Sequence, residues 1–135
     1  MANILTYGNA PHYNDALEIL ASGTYLTAQT VQVNNLCASG VHVVLDVTVK
    51  TGSPTKLVVT INGICPVSGK TYVLLTGGNV TGTGTNVYKV APLATAAANA
   101  AARDFIPKTF NIVVTPTAVD ADNNFTYSVG ALFLR

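Results

Sequence analysis

The clearest pattern in the chain is an alternation of apolar and polar residues over residues 41–50, Val-His-Val-Val-Leu-Asp-Val-Thr-Val-Lys. One face of the predicted strand carries only aliphatic side chains: Val41, Val43, Leu45, Val47 and Val49. The other face carries His42, Val44, Asp46, Thr48 and Lys50. Such an alternation, rich in β-branched residues, predicts a half-buried central strand. A second apolar run at residues 56–62 follows a turn at residues 51–54, and we expect the two runs to pair as a hairpin.

From Thr24 onward the same reasoning predicts only strands. Further apolar runs bounded by turn residues are found at residues 25–33, 70–76, 86–91, 108–115 and 125–134. The final two runs are expected to pair across an Asp- and Asn-rich turn at residues 120–124. Short strands at regular spacing predict an all-β domain over residues 24–135, an antiparallel β-sandwich of the jelly-roll or immunoglobulin-like type. The sequence does not decide between these two strand orders.

One alanine-rich segment interrupts the strand pattern. Residues 93–102 read Leu-Ala-Thr-Ala-Ala-Ala-Asn-Ala-Ala-Ala, between Pro92 and Pro107. Alanine has the highest helix propensity, so a short helical turn that crosses between two sheets is predicted here.

Residues 1–23 form a predicted N-terminal arm outside the sandwich. Within it Asn14 can cap a helix and Gly23 can end one, which predicts a short helix over residues 14–21. A helix of about two turns is not stable alone in water, so the arm must dock on its own domain or on a partner. We expect it to supply the interface, and its removal to leave the sandwich folded. The candidate interface residues are Tyr7, Tyr13, Leu17, Ile19 and Leu20.

The composition points to a protein that is covered by neighbours. Of 135 residues, 49% are hydrophobic and only 10% are charged, against about 25% charged in an average domain. A surface of this kind predicts a homo-oligomer, with a trimer favoured, or attachment to a partner. The net charge of +1 gives no electrostatic footprint for nucleic acid or an anionic membrane.

The sequence has no signal for secretion or membrane insertion. No apolar run approaches the roughly 18 residues of a membrane span, and the N-terminus lacks a basic start followed by an apolar core. We therefore expect synthesis and retention in a reducing cytoplasm. Cys37 and Cys65 flank the predicted hairpin, so a bridge between them is geometrically possible, but two free thiols are favoured.

Catalytic and metal-binding patterns are weak. His12 and His42 are the only histidines, and His42 lies about 13 Å along a strand from Asp46, which is too far for a dyad. The oxygen-rich segment at residues 120–124 could supply some calcium ligands, but an Asp- and Asn-rich turn needs no metal. The glycines of residues 77–84 are not followed by the Lys-Ser/Thr of a phosphate loop. The sequence therefore predicts no catalytic, cofactor-binding or metal-binding residues and no enzyme.

Four stretches of the chain resemble a known family. They are Gly-Val-His-Val-Val-Leu-Asp-Val-Thr-Val at residues 40–49, Asn-Gly-Ile-Cys-Pro-Val-Ser-Gly-Lys-Thr-Tyr at 62–72, Thr-Ala-Ala-Ala-Asn at 95–99 and Asn-Phe-Thr-Tyr-Ser-Val-Gly-Ala at 124–131. In this order they are similar to small virion proteins of tailed bacteriophages. The resemblance covers roughly residues 26–134 but not the arm, and the Ile64-Cys65 pair departs from the more polar turn expected there.

The resemblance implies a structural virion component, a capsid decoration (cement) protein. Its partner would be the major capsid protein, its location the capsid surface, and its site of synthesis the cytoplasm of the bacterial host. The alternative is a tail, neck or fibre-associated β-sandwich that binds a carbohydrate or a host surface. Sugar sites usually expose aromatic platforms, yet the chain has no Trp and its Tyr residues are scattered.

Overall fold

The computed structural model describes residues 3–7 and 14–134. These residues form ten strands and no helix, which confirms the all-β prediction. The strands are β1 Asn3–Tyr7, β2 Asn14–Thr24, β3 Gln29–Asn35, β4 Gly40–Thr51, β5 Lys56–Ile64, β6 Thr71–Thr76, β7 Gly84–Ala91, β8 Ala101–Arg103, β9 Thr109–Thr117 and β10 Asn124–Leu134. Since the described residues contain no helix, they contain no helix that could cross a membrane.

The strands form two five-stranded sheets packed as a sandwich. The first sheet has the order β1-β3-β9-β5-β6 and the second the order β2-β10-β4-β7-β8. All neighbouring strands are antiparallel except the pairs β1–β3 and β7–β8. Leave out β1 and β8, and number the other eight strands from one to eight in chain order. The second sheet then has the order 1-8-3-6 and the first sheet the order 2-7-4-5. This is the strand order of a jelly roll, and it differs from the immunoglobulin order.

Two predicted hairpins are wrong, because the two strands of each pair lie in different sheets. β4 lies between β10 and β7 in the second sheet, whereas β5 lies between β9 and β6 in the first. β9 and β10 are likewise in different sheets, and each is inserted between two strands from the N-terminal half of the chain. In both cases the connection arches over the end of the sandwich, so the apolar faces of consecutive strands meet across the core.

The arches at residues 52–55 and 118–123 support each other. Gly52 has a φ of +67°, a conformation that favours glycine, and its α-carbon lies against the backbone of Asp122. The Ser53 N–H donates a 2.9 Å hydrogen bond to Oδ1 of Asn123. The two arches therefore contact each other at the same end of the sandwich.

The core lies between the sheets and contains the face that the alternation predicts. Val41, Val43, Leu45 and Val47 are at most 2% exposed, whereas Val49 is 48% exposed because β4 extends past the core at that point. From the other sheet the same cluster includes β5 and β9 side chains, and the Phe110 and Phe133 rings pack edge to face with centroids 6.4 Å apart. Predicted sidedness and observed burial therefore agree for most of β4.

The predicted helix at residues 14–21 is wrong, because this segment belongs to β2. It pairs antiparallel with β10, and the predicted arm boundary after Gly23 falls inside this strand. Two register shifts near Val129 insert extra residues into β2, so the adjacent Ile19 and Leu20 are both buried. Pairing with β10 and burial of both side chains override the local helix signals, and β1 likewise pairs with β3.

The alanine-rich segment is also not helical. Backbone hydrogen bonds between Ala97 and Ala101, 3.0 and 2.9 Å long, close a tight turn in which Asn99 has a φ of +61°. The chain then enters β8, which pairs parallel with β7 in the same sheet. A left-handed residue at the tip cannot continue a helix, so alanine propensity does not decide the conformation here.

We expect Leu45→Ala to lower the free energy of unfolding by about 2–5 kcal/mol, because it opens a cavity beneath a fully buried side chain. Thr48→Ala is the matched control on the exposed face of the same strand. It loses one 3.3 Å hydrogen bond to the Thr126 carbonyl and should cost no more than about 1.5 kcal/mol. Urea unfolding followed by circular dichroism measures both values. Equal losses would contradict the sidedness of β4.

Deletion of residues 1–23 should abolish cooperative folding, contrary to the expectation of a removable arm. The deletion removes β1 and nearly all of β2, together with the buried Ile19 and Leu20. Each of these side chains contributes about 2–5 kcal/mol, against a total stability of about 5–15 kcal/mol for a typical domain. Circular dichroism and size-exclusion chromatography test this, and a monodisperse, cooperatively unfolding truncated protein would contradict it.

Candidate functional site

One end of the jelly roll carries exposed apolar residues on separate loops. This end is formed by the β3–β4 turn, the β5–β6 loop and the segments on either side of β8, as the strand registers show. The exposed residues are Leu36, Val67, Leu93 and Phe105, with exposed fractions of 52%, 94%, 91% and 61%. We call these four residues the apical surface. Large apolar side chains grouped on loop tips typically mark an interaction surface.

The loops that carry Leu36 and Phe105 are held together by one buried amide. The Asn35 side chain donates a 2.8 Å hydrogen bond to the Ala38 carbonyl and accepts one of 2.8 Å from the Ala38 N–H. The Asn35 backbone N–H donates to the carbonyl of Lys108 at 2.6 Å. Asn35 thus joins the β3–β4 turn to the segment before β9 and fixes the backbone on both sides.

Phe105 and Leu93 are connected through the backbone that precedes β9. The Asp104 N–H donates to the Ala91 carbonyl at 3.2 Å, and the Ile106 N–H donates to the Ser39 carbonyl at 3.0 Å. Ile106 is 3% exposed, so it anchors the segment in the core while the adjacent Phe105 ring points to solvent. The apical surface therefore rests on a fixed backbone and not on a free loop.

Val67 lies at the tip of the β5–β6 loop, and two backbone hydrogen bonds close this loop. The Cys65 N–H donates to the Lys70 carbonyl at 2.8 Å, and the Gly69 N–H donates to the Cys65 carbonyl at 2.9 Å. Cys37 and Cys65 are both free thiols. Hydrogen bonding from the Ser68 side chain, followed by backbone N–H groups of the loop, lowers the pKa of the Cys65 thiol to about 7.

Basic residues surround the apical surface. Lys70, Arg103 and Lys108 are exposed near it, and Asp104 is the acidic residue among these neighbours. The Asp104 carboxylate accepts a 2.8 Å hydrogen bond from the Phe105 N–H, and Arg103 Nε donates to the Pro92 carbonyl at 3.3 Å. The apical surface is therefore suited to an apolar partner patch with an acidic border.

The acidic loop at the opposite end is closed by its own hydrogen bonds. Oδ1 of Asp120 accepts 2.8 Å bonds from the N–H groups of Asp122 and Asn123, and a 3.0 Å bond from the Asn123 side chain. These donors lower the pKa of Asp120, with the Asp122 N–H as the largest cause. Among the described residues, no group of three or more His, Cys, Asp or Glu side chains could hold a metal ion.

His42 and Asp46 lie on the outer face of the second sheet and do not form a pair. Partial burial, and then the charge of Lys89, lower the pKa of His42 below its usual value. The Asp46 carboxylate instead accepts a 3.2 Å hydrogen bond from Thr85. The geometry gives His42 no carboxylate partner among the described hydrogen bonds.

The predicted interface residues are dispersed in the structure. Ile19 and Leu20 are buried in the core of the protein, and Leu17 is half-buried against that core. Tyr7 ends β1 beside Asn35, near the apical surface, and Tyr13 lies outside the described residues. The four apical residues are missing from the sequence prediction. The one local signal for these residues is an apolar side chain among turn-forming residues, as in Pro66-Val67-Ser68-Gly69.

Comparison with known proteins gives only distant structural similarity. No family model matches the chain, and no curated protein matches it. Among solved structures, it is similar to the pre-peptidase C-terminal domain of a Bacillus anthracis collagenase, with 7% identity, a TM-score of 0.43 and coverage of 100% of this chain and 95% of that one. It is also similar to Aeromonas hydrophila PliG, a periplasmic inhibitor of g-type lysozyme, with 12% identity, a TM-score of 0.40 and coverage of 99% and 97%.

A further similar structure is that of infectious bursal disease virus, Gt strain. The identity is 13% and the TM-score 0.35, over 93% of this chain and 31% of the viral chain. All three TM-scores are below 0.5, and no function follows from these similarities.

We expect alkylation of Cys65 by iodoacetamide to accelerate as the pH rises through about 7, because the thiolate is the nucleophile. A Cys37→Ser background leaves one thiol to follow. Ser68→Ala removes the largest cause of the lowered pKa and should move the midpoint upward, toward that of an ordinary thiol. An unchanged midpoint in Ser68→Ala would contradict the described loop geometry.

Proposed function

We propose that this protein is a structural virion protein of a tailed bacteriophage, a decoration protein that binds the major capsid protein lattice and stabilises the head. It would be made in the bacterial cytoplasm and reside on the capsid surface. The sequence resemblance over roughly residues 26–134 supports the virion assignment. The observation that carries the binding role is the apical surface, where four apolar side chains are exposed on loops at one end of a rigid jelly roll.

The chemistry of the apical surface suits attachment to a protein. Complete burial of a large aliphatic or aromatic side chain contributes roughly 1.5–3 kcal/mol before the costs of association. Because the backbone that carries the four side chains is already fixed, binding does not add the entropic cost of ordering a loop. The basic Lys70, Arg103 and Lys108 around them would meet acidic residues of the lattice and orient the docked protein.

The tail- or fibre-associated alternative has less support. Jelly rolls occur in both viral capsid and lectin domains, so the fold does not separate the two functions. The apical surface consists of three aliphatic side chains and one aromatic ring, Phe105. A sugar site usually combines aromatic platforms with convergent polar groups, whereas an apolar cluster is typical of a protein interface.

The test is binding to capsids of the encoding phage assembled without this protein. We expect Leu93→Asp combined with Phe105→Asp to weaken binding at least tenfold, about 1.4 kcal/mol or more, because two charged groups would be buried in the interface. Leu26→Asp is the matched control, since Leu26 is 44% exposed on a loop at the opposite end. Cosedimentation over a range of protein concentrations gives the dissociation constants, and circular dichroism verifies that each variant is folded.

Two outcomes would overturn the proposal. If the intact protein does not bind undecorated capsids but does bind host surface polysaccharide, the tail- or fibre-associated function is correct. If capsid binding is retained in the apical variant but lost in Leu26→Asp, the docking surface lies at the opposite end of the jelly roll.

A further inference from the structure

The outer face of the second sheet is open at its centre. The segment at residues 93–101 borders it on the β7 side and lines a concavity there with His42, Val87 and Lys89. Its strands β2, β10, β4 and β7 bring two rows of outward residues into register. One row contains Ala16, Leu132, His42 and Lys89, and the next contains Glu18, Gly130, Val44 and Val87. Leu132 and Val87 are 44% and 41% exposed. Gly130, with no side chain, has open space where a β-carbon would point.

Opposite charges flank this apolar centre. Glu18 lies on β2 and Lys89 on β7, with β10 and β4 between them. Strands are about 4.8 Å apart, so the two residues are about 14 Å apart across the sheet and in adjacent rows. This separation prevents an ion pair within one molecule. The arrangement of charges is instead complementary to the same face of a second molecule rotated by 180°.

We propose that this face packs against the same face of a second copy, with a two-fold axis parallel to the strands between β10 and β4. The rotation sets β2 of one copy opposite β7 of the other, and β10 opposite β4. Glu18 of each copy then lies over Val87 of its partner, one row from Lys89 of the partner, and the long side chains of Glu18 and Lys89 meet diagonally in two symmetry-related ion pairs at the rim. The open surface at Gly130 receives Val44 of the other copy, and Leu132 packs on His42.

Most of this contact is separate from the apical surface. The outer face consists of strand residues on the side of the sandwich, whereas the apical residues lie on loops at its end. Of the four apical residues, Leu93 also borders this face, beside His42 and Lys89. The dimer contact can be tested without capsids. It also gives a defined stoichiometry of two, in place of the trimer that the composition favours.

The first experiment uses two glycines with open surroundings. Neither Gly130 nor Gly82 has an atom within 4 Å of an added β-carbon or a positive φ, so both accept a side chain without strain. We expect Gly130→Arg to be a folded monomer in sedimentation equilibrium, because the side chain projects into the contact. Gly82→Arg, the matched control in the β6–β7 connection, should remain a dimer.

The second experiment exchanges the two charges. Glu18→Lys and Lys89→Glu should each weaken dimerisation about tenfold, because two attractive pairs become repulsive. The double variant Glu18→Lys with Lys89→Glu should restore the original dissociation constant. Restoration cannot arise within one molecule at about 14 Å, so it identifies an intermolecular pair.

Several results would overturn the inference. They are a monomer or a trimer for the intact protein at high concentration, equal effects of Gly130→Arg and Gly82→Arg, or a double charge variant no tighter than the single ones. Circular dichroism of each variant separates loss of association from loss of folding.

Discussion

Apolar contact between the two sheets is the interaction on which the rest of the structure depends. Most consecutive strands lie in opposite sheets, and β5–β6 is the one hairpin among the described strands. The turns between consecutive strands therefore determine few of the strand pairs in the two sheets. Inward residues such as Leu45 of β4 and Ile112 of β9 come from distant parts of the chain and meet in one buried cluster. That cluster positions the arches, and the arches determine which loops share an end.

Sequence periodicity was informative about strands but not about their partners. An alternating run has the same pattern whether it turns back in a hairpin or arches to the other sheet, so the burial of Leu45 was predictable and the neighbours of β4 were not. The helix predicted for residues 14–21 is wrong because their burial depends on bulges against Val129 of β10. No local pattern contains that information.

The candidate site was less predictable than the fold, for a related reason. Hydrophobicity indicates that a side chain is shielded from water, but not whether its own chain or another chain shields it. Ile19 and Leu20 were predicted to contact a partner and are buried in the core. Leu93 and Phe105 lie in segments without periodicity, and they become a surface only when the jelly roll brings their loops to one end.

The central positions of β9 and β10 determine when the protein can complete its fold during its synthesis. Both sheets have a vacant central position until these two strands leave the ribosome, so the nascent chain exposes unpaired strand edges for most of translation. Non-local pairing of this kind is slow to form. The backbone around Phe105, which is held against Ser39, is fixed only at that last stage. An interrupted chain therefore has no ordered apical surface.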